Sequence, residues 1–314
     1  MPEAPPVVAL FGATALGKTE VAIALAERLG ADIVVADSMQ VYAGLPTVTN
    51  QPDEGQARRA RHHLVGFVPP QQEYTVAEYA RRAHAVIDEL RAAGRPVIVE
   101  GGSGLYLRAA LGDLEFGGPP EAAARRDLEE RWARDPAAVL DELRALDPDG
   151  MARLDTANPR RVLRALESVR AAVAVPGAGA QRDRLWRPAE RYPHRLVALL
   201  PDGDRAALNA RIEARVEAML AGGALRELAA ARAAGELSRS ARQAIGVREL
   251  CEHLDGRVTL AEAAARMKAR TRALARRQLT WMRKLPAAAQ VPAEGRAPGA
   301  LAAAVLELVQ APPW

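Results

Sequence analysis

The chain has 314 residues, 49% of them hydrophobic and 26% charged, an ordinary make-up for a globular protein with room for one large core and an inserted lobe, or for two domains. Lys plus Arg number 43 against 39 acids, a net charge of +4 that does not by itself announce a polyanionic partner. The single cysteine, Cys251, excludes an internal disulfide and fits a reducing cytosol. No apolar run is long enough to span a bilayer and no secretory or lipidation signal is visible, so a cytoplasmic location without membrane attachment is expected.

In chain order, residues 7–11 (VVALF) are a short apolar run ending at Gly12, which reads as a buried parallel strand. Residues 12–19, GATALGKT, fit G-x-x-x-x-G-K-[ST], the loop that cradles phosphates. A helical face then runs over 19–29 to Gly30, and 32–36 (DIVVA) reads as a second strand. A helix is expected over about 75–93 and a strand over 96–100 that runs into Gly101-Gly102-Ser103-Gly104. This alternation predicts an α/β fold, a parallel sheet flanked by helices as in P-loop NTPases, with ligands at the carboxyl ends of its strands. Beyond Asp113 only helical patterns remain, broken at Asp135-Pro136, Asp147-Pro148 and Asn158-Pro159, followed by an Ala- and Gly-rich loop over 171–184. Residues 115–190 therefore read as an all-helical insertion within a core of 1–114 and 191–314. A strand at 196–200 returns the chain to the sheet, and helices follow from 204 to about 285.

Chemistry is expected at the strand ends. Gly12, Ala13, Thr14, Ala15, Leu16 and Gly17 offer backbone N–H groups at a helix N-terminus, Lys18 adds a charge, and the Thr19 hydroxyl is a candidate magnesium ligand. This is a grip for a diphosphate, and nothing in it demands a nucleotide. Asp37, at the end of the second strand and followed by Ser38, Met39 and Gln40, reads either as a turn-capping carboxylate or as a general base beside the phosphate site. Ser103 reads as a hydroxyl for a leaving oxygen or as part of an ordinary turn, and Glu100 as an acid behind a magnesium ion or a strand-end charge. The run RMKARTRALARRQLTWMRK (266–284) holds eight basic residues and no acid, with apolar residues at helical spacing: a packed helix with a basic face able to track a phosphate backbone. His62-His63 invites a metal reading, but without C-x-x-C spacing a structural role is favoured.

Taken in order, GATALGKT, DSMQVYAG (37–44), HHL (62–64), GGSGLYLRA (101–109), PRRVLRALE (159–167), QAIGVREL (243–250) and ARRQLTWMRK (275–284) resemble the bacterial tRNA dimethylallyltransferases over nearly the whole chain. The resemblance implies transfer of a dimethylallyl group from dimethylallyl diphosphate, with Mg2+, to N6 of the adenosine 3′ of the anticodon, in tRNAs reading codons that begin with U. It implies catalytic roles for Lys18, Thr19, Asp37 and Ser103 and a diphosphate contact from Arg211 or Arg215. It further implies tRNA contacts from residues 37–40, Ser103, Arg125, Arg160, Arg161, Val162, Leu163, Arg164, Arg276 and Arg277, in a protein expected to be monomeric. The chain departs from the family pattern at Ala13, Leu16, Ser103, Gln51 (where a lysine is usual) and Val247. A small-molecule kinase, or a tRNA-binding relative without catalysis, are the competing readings; the first leaves RRQLTW unexplained.

Overall fold

The computed structural model describes residues 7–114, 122–152, 154–174, 189–201, 203, 205–283, 285, 288–293 and 295–311. The expected loop over 171–184 beyond residue 174, and Lys284 of the basic run, lie outside them. The chain divides into two compact units, one of Met1–Gly112 with Glu190–Trp314, the other of Asp113–Ala189.

The elements follow as β1 (Val7–Gly12), α1 (Lys18–Leu29), β2 (Asp32–Val35), α2 (Pro46–Thr49), α3 (Glu54–Arg59), β3 (His62–His63) and α4 (Val76–Ala92). Then come β4 (Val97–Gly101), α5 (Gly104–Leu111) and β5 (Gly112–Asp113). Helices α6 (Ala122–Arg134), α7 (Pro136–Leu146), α8 (Pro148–Ala152) and α9 (Pro159–Ala174) belong to the second unit. The chain continues through β6 (Ala189–Glu190), β7 (His194–Leu200), α10 (Arg205–Ala221), α11 (Ala224–Ala233) and a 3₁₀ turn at Ala241–Gln243. It closes with α12 (Val247–Leu254), α13 (Leu260–Met282), β8 (Ala289–Pro292) and α14 (Pro298–Gln310).

Six strands form a parallel sheet in the order β3-β2-β4-β1-β7-β8. Every residue of β1, β2 and β4 is buried, as expected of central strands covered on both faces. The register aligns their carboxyl ends: Phe11 faces Gly101, and Val35 faces Glu100. The loops after Gly12, Ala36 and Gly101 consequently open on one edge. Thr75 and Thr259 start α4 and α13 with reciprocal capping boxes to Glu78 and Glu262.

The helical unit starts and stops where its Asp-Pro and Asn-Pro steps fall: Asp135 caps α7 through the Ala138 amide, with Pro136 at the first helical position. Its core is Leu128, Val139, Leu143, Val162, Leu163, Leu166 and Val169. Among the elements the sequence pattern does not show are β3, β8 and α14. β3 is two histidines, β8 buries only Val291 and so lacks a period-two signature, and α14 lies beyond 285, where the helical reading had ended. No described helix is long and apolar enough to cross a membrane.

Candidate active site

The phosphate loop is wound by two left-handed residues, Ala15 at φ 65° and Gly17 at φ 73°. Left-handed backbone costs an alanine roughly 1–2 kcal/mol, which the surrounding loop has to impose. Gly17 caps α1, so the loop's N–H groups sit at a helix N-terminus. A side chain at Gly12 would press within 3.2 Å of the Leu199 Cβ.

From the first residues of α1, Lys18 Nζ stands 3.4 Å from Glu100 Oε2, and the Thr19 hydroxyl donates to Glu100 Oε1 at 3.2 Å. Glu100 is 1% exposed, and among the described residues its Oε2 receives no hydrogen bond. A buried carboxylate that faces the Lys18 ammonium, takes no hydrogen bond on Oε2 and stands behind a threonine hydroxyl suits a divalent cation, so these residues fit magnesium.

Asp37 closes an Asx turn in which Oδ1 accepts the amides of Met39 (2.8 Å) and Gln40 (3.4 Å). Turn capping and chemistry need not compete: the turn uses one oxygen and keeps Oδ2 out of it. Ser103 sits at the N-cap of α5, yet its side chain makes no capping bond there. Gly101 has to be a glycine, and Gly102 and Gly104 leave room for close neighbours. A Cβ at Gly101 would overlap the Ala36 carbonyl, one at Gly102 the Gln278 carboxamide, and one at Gly104 the Trp281 ring.

Arg215 reaches the crevice from α10. Burial pushes its guanidinium pKa down, and the carboxylates of Asp37 and Glu100 pull it up. Among the described residues this half-buried guanidinium makes no ion pair or hydrogen bond, so a cation facing two carboxylates lacks a direct partner. Arg211, one turn earlier, is also half-buried.

Several neighbours were not singled out from the sequence. Tyr42, Tyr74, Tyr79 and Tyr106, four of only five tyrosines, gather behind Asp37. The rings of Tyr79 and Tyr106 are 4.5 Å apart, and burial raises the Tyr74 hydroxyl to about 12 and those of Tyr42 and Tyr106 above their usual value. Their scarcity was the available signal. Gln278 Oε1 accepts the Thr14 amide at 2.8 Å, and its Nε2 donates to Gly102 O at 2.9 Å. Gln51 holds the Tyr42 carbonyl and the Thr49 hydroxyl, giving this departure from the usual lysine a structural task.

The remaining candidates divide. In the basic run, Arg266, Lys268, Arg270 and Arg272 pair with Glu252, Glu217, Glu249 and Glu213 of other helices. The expected basic face is therefore neutralised over its first half. Arg276, Arg277 and Arg283 are exposed and have no carboxylate partner among the described residues. In the helical unit Arg160, Arg161 and Arg164 are exposed, Arg161 standing 3.4 Å from Asp155, and Arg125 is engaged by Glu129 and Glu167. Val162 and Leu163 are 0% and 3% exposed, their side chains packed in the core of the helical unit. His62 bonds the Ala60 carbonyl and His63 the buried Asp32, and no cluster of three metal-ligating side chains occurs among the described residues.

Residues 40–285 match the family model described as IPP transferase. The chain is 41% identical over 286 residues to the tRNA dimethylallyltransferase of a Nocardioides species, covering 91% of this chain and 90% of that one. It is 42% identical over 282 residues to that of Anaeromyxobacter dehalogenans, covering 88% and 91%. Among solved structures it resembles the full-length tRNA isopentenylpyrophosphate transferase of Bacillus halodurans, with a TM-score of 0.71, 29% identity and 97% of each chain covered. A eukaryotic dimethylallyltransferase acting on tRNA shares the fold, with a TM-score of 0.75, 23% identity, and 92% of this chain and 74% of that one covered.

Proposed function

The chain belongs to the IPP transferase family, and we propose that it moves a dimethylallyl group from dimethylallyl diphosphate to N6 of the adenosine 3′ of the anticodon in tRNAs reading codons that begin with U. The observation that carries this reading is the convergence of Lys18, Thr19 and Arg215 around a site bordered by Asp37 and Ser103.

Heterolysis of the allylic C–O bond leaves its electron pair on the diphosphate and a delocalised cation on carbon. The protein's main task is to stabilise the departing anion. The loop amides other than that of Thr14, the Lys18 ammonium and the Arg215 guanidinium take this charge, and Ser103 donates to the leaving oxygen. Magnesium, held at Thr19 with Glu100 behind it, supplies further charge neutralisation when bound. The adenine amine is a poor nucleophile because its lone pair is delocalised into the ring. As the C–N bond forms, Asp37 takes one N6 proton on Oδ2 while its turn keeps the carboxylate aimed. The tyrosine wall offers water-poor surface to the allylic group and the extruded base. Exposed Arg160, Arg161, Arg164, Arg276 and Arg277 supply phosphate contacts. Such a protein works in the cytoplasm, where its RNA substrate is.

The test is incubation with magnesium, radiolabelled dimethylallyl diphosphate and an unmodified anticodon stem-loop carrying A-A-A 3′ of the anticodon. Label is expected in the RNA. Tight RNA binding without label would mark a protein that only binds tRNA, and metabolite-stimulated ATP hydrolysis would mark a kinase.

A further inference from the structure

Strands β1 and β4 are paired as far as Phe11 and Gly101. Beyond that point the phosphate loop and the Ser103 turn part, and no backbone hydrogen bond joins them among the described residues. The Gln278 carboxamide fills this gap. It accepts from the Thr14 amide and donates to the Gly102 carbonyl, as the next peptide group of a ladder would, from a helix far along the chain. The side chain is 7% exposed, and the missing Cβ of Gly102 leaves the room for its Nε2. Three residues on along the same helix, Trp281 lies against Gly104, where a Cβ would come within 2.5 Å of the ring. Few side chains satisfy both demands at this reach. An ionised glutamate only accepts, an asparagine is one methylene short, and a methionine of similar length does neither.

We propose that Gln278 is a positioning residue for prenyl transfer: it occupies the Thr14 amide and ties the phosphate loop to the turn carrying Ser103, so that Ser103, Lys18 and Thr19 address one diphosphate. The inference rests on the diphosphate reading of the loop. By claiming the Thr14 N–H, Gln278 also selects which loop amides remain for the anion. The same helix presents Arg276 and Arg277 on its exposed side, so the element that offers these cations also sets the spacing of the crevice.

Wild type, Gln278→Met and Gln278→Glu are compared for transfer to the stem-loop, inhibition by inorganic diphosphate, RNA affinity and thermal melting. Gln278→Met is expected to lower kcat/KM for the donor by about 10- to 100-fold and to weaken inorganic diphosphate severalfold, with RNA affinity and folding essentially kept. Gln278→Glu carries its own control. A protonated carboxyl restores a donor to Gly102 while its carbonyl still accepts from Thr14, so variant activity relative to wild type should rise as pH falls. Wild-type kcat/KM and diphosphate inhibition in Gln278→Met would overturn the inference. So would losses that merely track the folded fraction, with a relative activity independent of pH. A wild type that neither transfers label nor binds inorganic diphosphate overturns the reading beneath, and this inference with it. An active wild type with an unaffected Gln278→Met removes the inference alone.

Discussion

The crevice and the helical unit differ in how they handle a cation. In the helical unit cations meet carboxylates: Arg125 lies between Glu129 and Glu167, and Arg131 and Arg170 share Glu142. In the crevice Glu100 pairs with Lys18, but Arg215 has no direct counter-ion among the described residues, although the carboxylates of Asp37 and Glu100 act on it. Burying a charge without its partner is costly, and the cost persists where a ligand is to supply the missing charge. The half-buried Arg215, left without a direct partner, therefore marks the crevice as the place where a ligand's charge is to be met.

Removing the base breaks the comparison most sharply. Asp37→Asn retains an oxygen for the Met39 amide but no longer takes a proton, so transfer should fall by about 10²- to 10⁴-fold with the fold intact, measured by label incorporation and melting temperature. Near-normal turnover would remove Asp37 from the reaction. Arg215→Gln comes next. Inorganic diphosphate affinity, read by calorimetry, should drop by roughly 10- to 100-fold while thermal stability holds or rises, because an unpaired cation has left a desolvated place. A large fall in melting temperature would reclassify Arg215 as structural. The double change Arg276→Gln with Arg277→Gln should cost less, making the log–log dependence of RNA affinity on salt shallower by about 0.7 per arginine. An unchanged slope would take α13 off the RNA surface.

The smallest effect belongs to the helical unit. Burial pushes the Glu142 carboxyl up, but hydrogen bonds from Arg131 and Arg170 outweigh it and leave the group below its usual 4.5. Its contribution is thus present above that value and lost as pH falls through the lowered one. Being partly solvent-screened, it should amount to under about 1 kcal/mol. Glu142→Gln should soften the acid-unfolding transition seen by circular dichroism while transfer at neutral pH stays unchanged. A loss of transfer would deny the division between paired and unpaired charge.

Local pattern was enough for much of this protein. The apolar runs at 7–11, 32–36 and 96–100, the GATALGKT spacing and the Asp-Pro breaks each act within a few residues, so β1, β2, β4, the phosphate loop and the helical insertion were legible in the sequence. The fold then decided what local pattern does not encode. Gln278 lies 264 positions from the Thr14 amide it holds, and three separate segments contribute the tyrosine wall. The basic run looked uniform until packing set its first four cations against glutamates of neighbouring helices and left Arg276 and Arg277 exposed. Periodicity states which face of a helix is apolar, but which partner meets each charge depends on what the finished fold packs beside it.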